Sequence, residues 1–79
     1  MYYAYVLLSK VNGMLYKGST ENLELRVKAH NAGMVTFTSK YCPWELVYFE
    51  QFSTRSEAMA REKFFKSGKG REWLRQKLA

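Results

Sequence analysis

Tyr2 to Leu8 is an almost unbroken run of aromatic and branched residues, and it reads as a strand. Leu15 to Gly18 reads as a second strand. Between them stands Asn12-Gly13, a dipeptide suited to a type I′ hairpin turn, which needs positive φ at both central positions. A two-residue turn there pairs Ser9 with Tyr16 and Leu7 with Gly18. Tyr3, Tyr5 and Tyr16 then share one face. A register slip that keeps parity preserves that face, and a one-residue slip destroys it. Glu45 to Phe52 is a third strand, with Pro43 placed just ahead of it, where proline is tolerated.

The spacing turns helical in three places. The first helix runs from about Glu21 to Ala32, with Ser19 or Thr20 as N-cap and Gly33 as stop. The second runs from about Arg55 to Ser67. It opens with the capping-box pattern Thr54-x-x-Glu57 and stops at Gly68. The third is short, about Arg71 to Leu78. Met34 to Cys42 has no period and reads as a loop. The order β-β-α-β-α-α predicts a single α+β (α/β) domain over residues 1–79: a small three-stranded, partly antiparallel sheet flanked by helices.

Composition adds a partner. Thirteen Lys and Arg stand against seven acidic residues, for a net charge of +6 in only 79 residues, which points to an anionic partner such as nucleic acid. The excess is uneven. Residues 1–54 carry net +1, and residues 55–79 carry net +5. Lys63, Lys66, Lys69, Arg71 and Arg75 are therefore the candidate nucleic-acid contacts. Ser67-Gly68-Lys69-Gly70 could cradle a phosphate ahead of a helix, but reads better as a helix–helix turn. No apolar run approaches the roughly 20 residues of a membrane-spanning helix, so no membrane is expected. The first residues, MYYAYVLLSK, do not read as a signal peptide. Cys42 is the single cysteine, which excludes an internal disulfide and fits a reducing, cytoplasmic setting.

Helical spacing places Leu23 and Val27 on the stripe that packs on the sheet, with Arg26 and His30 on or beside it. Two readings stand. Arg26 snorkels and His30 is a hydrogen-bonded core histidine, or both belong to a site. Glu62 lies among apolar neighbours on the second helix. It is either half of an ion pair with Arg61, Lys63 or Lys66, or a functional carboxylate. A Cys42–His30 thiol enzyme is a remote alternative, because no third group orients the pair.

These residues, at these spacings, resemble the GIY-YIG nuclease family. Tyr3-Ala4-Tyr5 stands where the first motif would be, and Tyr16-Lys17-Gly18 where the second would be, eleven residues on from Tyr5 to Tyr16. Arg26 matches the helical arginine of the family, and His30 the aromatic or histidine one turn later. Glu62, within Ala60-Arg61-Glu62-Lys63-Phe64, matches the metal-binding glutamate. The likeness covers essentially the whole chain and looks closest to small standalone bacterial proteins of that family. Tyr3 replaces the first motif's glycine, Ala4 its central isoleucine, and Lys17 the isoleucine of the second.

The resemblance implies a metal-dependent endonuclease that hydrolyses DNA phosphodiesters, in repair or processing. Its catalytic set would be Tyr5, Tyr16, Arg26, His30 and Glu62. Mg²⁺ or Mn²⁺ would sit on Glu62, since Mg²⁺ keeps most of its waters and binds through one or two carboxylates and the substrate phosphate. Arg26 suits the phosphate through its permanently charged fork. Tyr5 is the base or relay that the resemblance suggests. His30, with an unperturbed pKa of about 6.5, is the better match by value, so sequence leaves the choice open. DNA is the implied partner, with RNA as a further option. The alternative is a nucleic-acid-binding module, or a subunit that relies on a protein partner for substrate recognition and cuts weakly or not at all alone.

Overall fold

The computed structural model describes residues 1–79. Strands β1 (Tyr2–Ser9), β2 (Leu15–Thr20) and β3 (Trp44–Phe52) form one sheet, in the order β2-β1-β3, with helices α1 (Leu23–Asn31), α2 (Arg55–Lys66) and α3 (Gly68–Lys77). The element order is the predicted one. Both strand pairings are antiparallel, so the sheet is antiparallel throughout rather than in part.

The hairpin register differs from the expected one by two residues. Leu7 faces Tyr16 and Tyr5 faces Gly18. The turn is longer because the Ser9 hydroxyl accepts from the amides of Val11 (3.1 Å) and Asn12 (3.3 Å), while the Asn12 side chain accepts from Met14 N. Gly13, at φ 77°, supplies the left-handed residue that closes it. A shift of two keeps parity, so Tyr3, Tyr5, Leu7 and Tyr16 still share a face.

Helix boundaries also move, for reasons of capping. Ser19 and Thr20 pair with Ala4 and Tyr3 in the ladder, so they extend β2 instead of capping α1. Asn22 takes that role, its side chain accepting from Leu25 N at 3.1 Å. The capping box of α2 forms as predicted between Thr54 and Glu57. Helix α3 starts at Gly68 rather than Arg71. Ser67 ends α2 and caps α3 at once, its hydroxyl accepting from Gly70 N at 3.0 Å. A side chain at Gly70 would collide with the Phe64 carbonyl oxygen, which is why the two helices can turn so tightly there. With the Gly70 amide used in this cap, the segment is a helix–helix turn. The loop from Met34 to Cys42 contains one short 3₁₀ turn, Ser39–Tyr41.

Alternation along β1 divides the interior in two. Ala4 and Val6 face α2 and α3 and pack with Phe65 and Leu74. Tyr5 and Leu7 face the other way and pack with Trp44, Leu23 and Val27. A bulge in β3 places Tyr48 opposite Val6 and Leu46 opposite Leu7. It lets Val47 and Tyr48 join the first cluster while Leu46 and Trp44 join the second. No helix is long and apolar enough to cross a membrane.

Candidate functional site

The α1 side of the sheet carries the chemistry. Tyr5 rises from the central strand opposite Gly18, and its hydroxyl occupies the space that a side chain at Gly18 would take. A Cβ there would lie 2.5 Å from the phenol oxygen. His30 comes from the last turn of α1. Asn31 pins that turn to β3 by accepting from Trp44 N at 2.6 Å and donating to Trp44 O at 3.0 Å. The Tyr5 hydroxyl and His30 Nε2 are 2.9 Å apart, and Arg26 Nε donates to the same oxygen at 3.4 Å, the long side of the group. The Tyr16 ring meets His30 edge-on at 4.8 Å between centroids and lies 6.4 Å from Tyr5. Four of the five predicted catalytic residues are thus one cluster.

Burial sorts their roles. His30 and Tyr5 are closed to solvent, at 0% and 1% exposure, while Arg26 and Tyr16 are partly open. Burial, then the nearby Arg26 charge, lowers the His30 pKa to about 4, so the ring is neutral at pH 7. Burial raises the Tyr5 phenol above its ordinary value of 10, against the lowering effect of the Arg26 hydrogen bond. The hydrogen bond to Tyr5 raises Arg26 further, and the guanidinium stays charged.

Glu62 approaches from the other face. Its carboxylate accepts from the Ser19 hydroxyl at 2.7 Å and pairs with Lys66 at 2.6 Å. The ion pair expected with a neighbouring cation therefore exists, with Lys66 rather than Arg61, which instead grips Glu50 at 2.8 Å. Glu62 makes no direct bond to the tyrosine cluster, but its charge reaches Tyr5 and helps raise it. Its donors are oxygens only, the carboxylate and the adjacent Ser19 hydroxyl. That set fits Mg²⁺ or Mn²⁺ in a site completed by water and substrate phosphate. No group of three His, Cys, Asp or Glu converges anywhere.

Of the five predicted nucleic-acid contacts, Lys66 is tied to Glu62 and Arg75 to Glu72, whereas Lys63, Lys69 and Arg71 have no acidic partner. Two further residues, Arg55 and Thr38, escaped the sequence. Arg55 opens α2 and lines a small polar cleft of about 230 Å³ together with Arg26, Ser19 and Thr20. Charge alone could not single it out among thirteen cations. Lys17 is half-buried and unpaired, its pKa lowered by burial and then by Arg71 and Lys66. Thr38 is fully buried against His30 Nδ1 at 2.8 Å. The Cys42 thiol points at the His30 carbonyl oxygen (3.1 Å), not at the imidazole, so it does not form a thiol–imidazole pair. The largest groove lies elsewhere, on the α3 side. It is floored by Leu15, Leu46 and Leu74 and holds none of the cluster.

Comparison with known proteins points the same way. A sequence model described as the GIY-YIG catalytic domain matches residues 1–76. A UPF0213 protein of Clostridium perfringens is 46% identical over 67 residues, which cover 84% of this chain and 71% of the relative. One from Staphylococcus haemolyticus is 47% identical over 62 residues, covering 77% and 74%. The solution NMR structure of a UPF0213 protein from Bacillus halodurans superposes with a TM-score of 0.57 at 32% identity, covering 96% of this chain and 84% of that one.

Proposed function

The chain belongs to the GIY-YIG catalytic domain family, and from that premise we propose that it is a divalent-metal-dependent endonuclease acting on DNA. The observation that carries this reading is the Tyr5–His30–Arg26 cluster at one phenol oxygen, beside a polar cleft lined by two arginines. Arg26 and Arg55 hold the phosphate, with Arg26 offering its fork to two oxygens. Tyr16, partly open, orients the attacking water.

The proton route follows from burial and hydrogen bonding. His30 is closed to solvent and its Nε2 is engaged by Tyr5, so it acts through Tyr5 and not on water directly. The 3.4 Å Arg26 contact is the weak side of the phenol, and substrate binding must open that side for the attacking water to reach it. The water oxygen bonds to phosphorus and gives its proton to the Tyr5 oxygen. The Tyr5 proton passes to His30 Nε2. The phosphorus–oxygen bond to the leaving sugar breaks, and that oxygen takes a proton from solvent. Passing both protons together avoids a free tyrosinate, which burial disfavours; burial and Arg26 disfavour the resulting imidazolium as well, so His30 gives its proton up again to reset the site. When bound, Mg²⁺ or Mn²⁺ supplies positive charge to the phosphate and leaving oxygen. Glu62, with Ser19 beside it, would hold that ion. Lys63, Lys66, Lys69, Arg71 and Arg75 add sequence-independent phosphate contacts. A role in DNA repair or processing belongs to the same proposal.

The test is DNA cleavage by wild type, Tyr5→Phe and Arg26→Ala. Each substitution is expected to lower the rate by about 10²-fold or more. Wild-type rates in both folded variants would refute the assignment. The second reading, a binding module that needs a partner to cut, is favoured by one observation: Tyr5 and His30 are both closed to water. It predicts salt-sensitive DNA binding without cleavage.

A further inference from the structure

We propose that Thr38 is the positioning residue of the site: its hydroxyl holds His30 as the tautomer protonated on Nδ1, leaving Nε2 bare to receive the proton of Tyr5. The inference rests on the Tyr5–His30 proton route for its consequence, but not for its geometry. The hydrogen bonds at the two ends of the ring lead to it, the Tyr5 end by exclusion and the Thr38 end by the direction of the hydroxyl's own bond.

At one end, the Thr38 hydroxyl has a single proton and two neighbours, the Val35 carbonyl at 3.2 Å and His30 Nδ1 at 2.8 Å. The hydroxyl donates to the Val35 carbonyl, which turns a lone pair to the ring. Nδ1 must then supply a hydrogen. At the other end, the Tyr5 oxygen has His30 Nε2 at 2.9 Å and Arg26 Nε at 3.4 Å. The guanidinium only donates, so the Tyr5 proton has one place to go, and Nε2 must be bare. One tautomer satisfies both ends at once. The reverse tautomer would set two protons against each other at Tyr5 or strand the Tyr5 proton, in a space with no solvent to take it.

Thr38 is itself fixed. It is fully buried, and its carbonyl oxygen accepts from the Trp44 indole at 2.8 Å and from Tyr41 N at 3.1 Å. Its amide donates to Val35 O at 3.1 Å. The loop between α1 and β3 thus clamps one threonine against the far side of the ring, in the way that partners beyond a functional histidine commonly set its tautomer.

His30 is the single histidine of the chain, so an imidazole ¹⁵N spectrum of the intact protein reports it alone. Wild type at pH 7 is expected to show a protonated Nδ1 and a bare Nε2. Thr38→Val keeps the shape but removes the hydroxyl. It should move both nitrogen signals toward the other tautomer and lower kcat for cleavage at least tenfold with KM little changed. Thr38→Ser should restore both, and remains informative if the valine variant folds poorly. A wild-type spectrum with the proton on Nε2 would overturn the proposal, as would a folded Thr38→Val whose spectrum matches wild type. A shifted Thr38→Val spectrum with an unchanged kcat overturns its functional part. If the spectra behave as stated and no variant cuts DNA, the tautomer assignment stands and the nuclease reading alone fails.

Discussion

Replacing Gly18 with alanine tests the most confined contact of the cluster. The new Cβ would sit 2.5 Å from the Tyr5 hydroxyl oxygen, 2.7 Å from Cζ and 3.1 Å from Cε2. Ordinary contact lies near 3.5–4.0 Å, so the ring must retreat by about 1 Å. Tyr5 is 1% exposed and has no open side to move into. Retreat also stretches the 2.9 Å bond to His30 beyond hydrogen-bonding range. Overpacking of this kind costs roughly 1–3 kcal/mol, and a lost hydrogen bond roughly 0.5–1.5 kcal/mol. Together they predict a loss of about 2–4 kcal/mol, or on the order of 1–2 M in the urea midpoint of a small domain. Gly68→Ala is the control, because a Cβ there meets nothing within 4 Å. It should be neutral, or stabilising by up to about 1 kcal/mol as glycine leaves a helix. Urea unfolding of both variants, followed by cleavage assays, gives the comparison. A Gly18→Ala protein with the wild-type midpoint and the wild-type rate would refute the seating of Tyr5 on Gly18.

Acid should weaken the fold through His30. Its proton binds near pH 4 when folded and near 6.5 when unfolded, so the unfolded chain holds more protons between those values. Stability should be full above about pH 6.5 and fall, by on the order of 3 kcal/mol, as the pH drops to about 4. Urea midpoints at several pH values should show this slope in wild type and lack it in His30→Asn; parallel curves would disprove the cause. Lys17→Ile removes a half-buried cation lying near Arg71 and Lys66, so the variant should unfold at higher urea. If Lys17 also touches DNA, the slope of log affinity against log salt should shrink by about 0.9. Thr54→Ala breaks the capping box of α2 and should cost about 1 kcal/mol in urea unfolding, without changing the metal dependence of cleavage.

Which residues meet was legible because it depends on periods that sequence displays. Alternation put Tyr5 and Tyr16 on one face, and one helical turn put Arg26 beside His30. The two-residue error in register did no harm, since parity survived it. Its cause was local and hard to foresee: a serine hydroxyl collecting two amides at the turn. The start of α3 was hidden in the same way, because one serine both ends α2 and caps α3. Glu62 stood out in the sequence, yet its hydrogen-bond partner Ser19 comes from the opposite side of β2, a pairing that follows only from the packing of α2 on the sheet. Thr38 and Arg55 carried no pattern. One lies in a loop without a period, and the other is one cation among many until the cleft beside Arg26 sets it apart.

The central claim is hydrolysis of DNA with a metal held at Glu62. Wild type and Glu62→Gln, shown to be equally folded, should be incubated at low salt with single-stranded, duplex and branched DNA, in Mg²⁺, Mn²⁺ or chelator. The account predicts cleavage by wild type only with metal, and a loss of at least about 10²-fold in Glu62→Gln. Equal cleavage in chelator, or by Glu62→Gln in Mg²⁺, would contradict it.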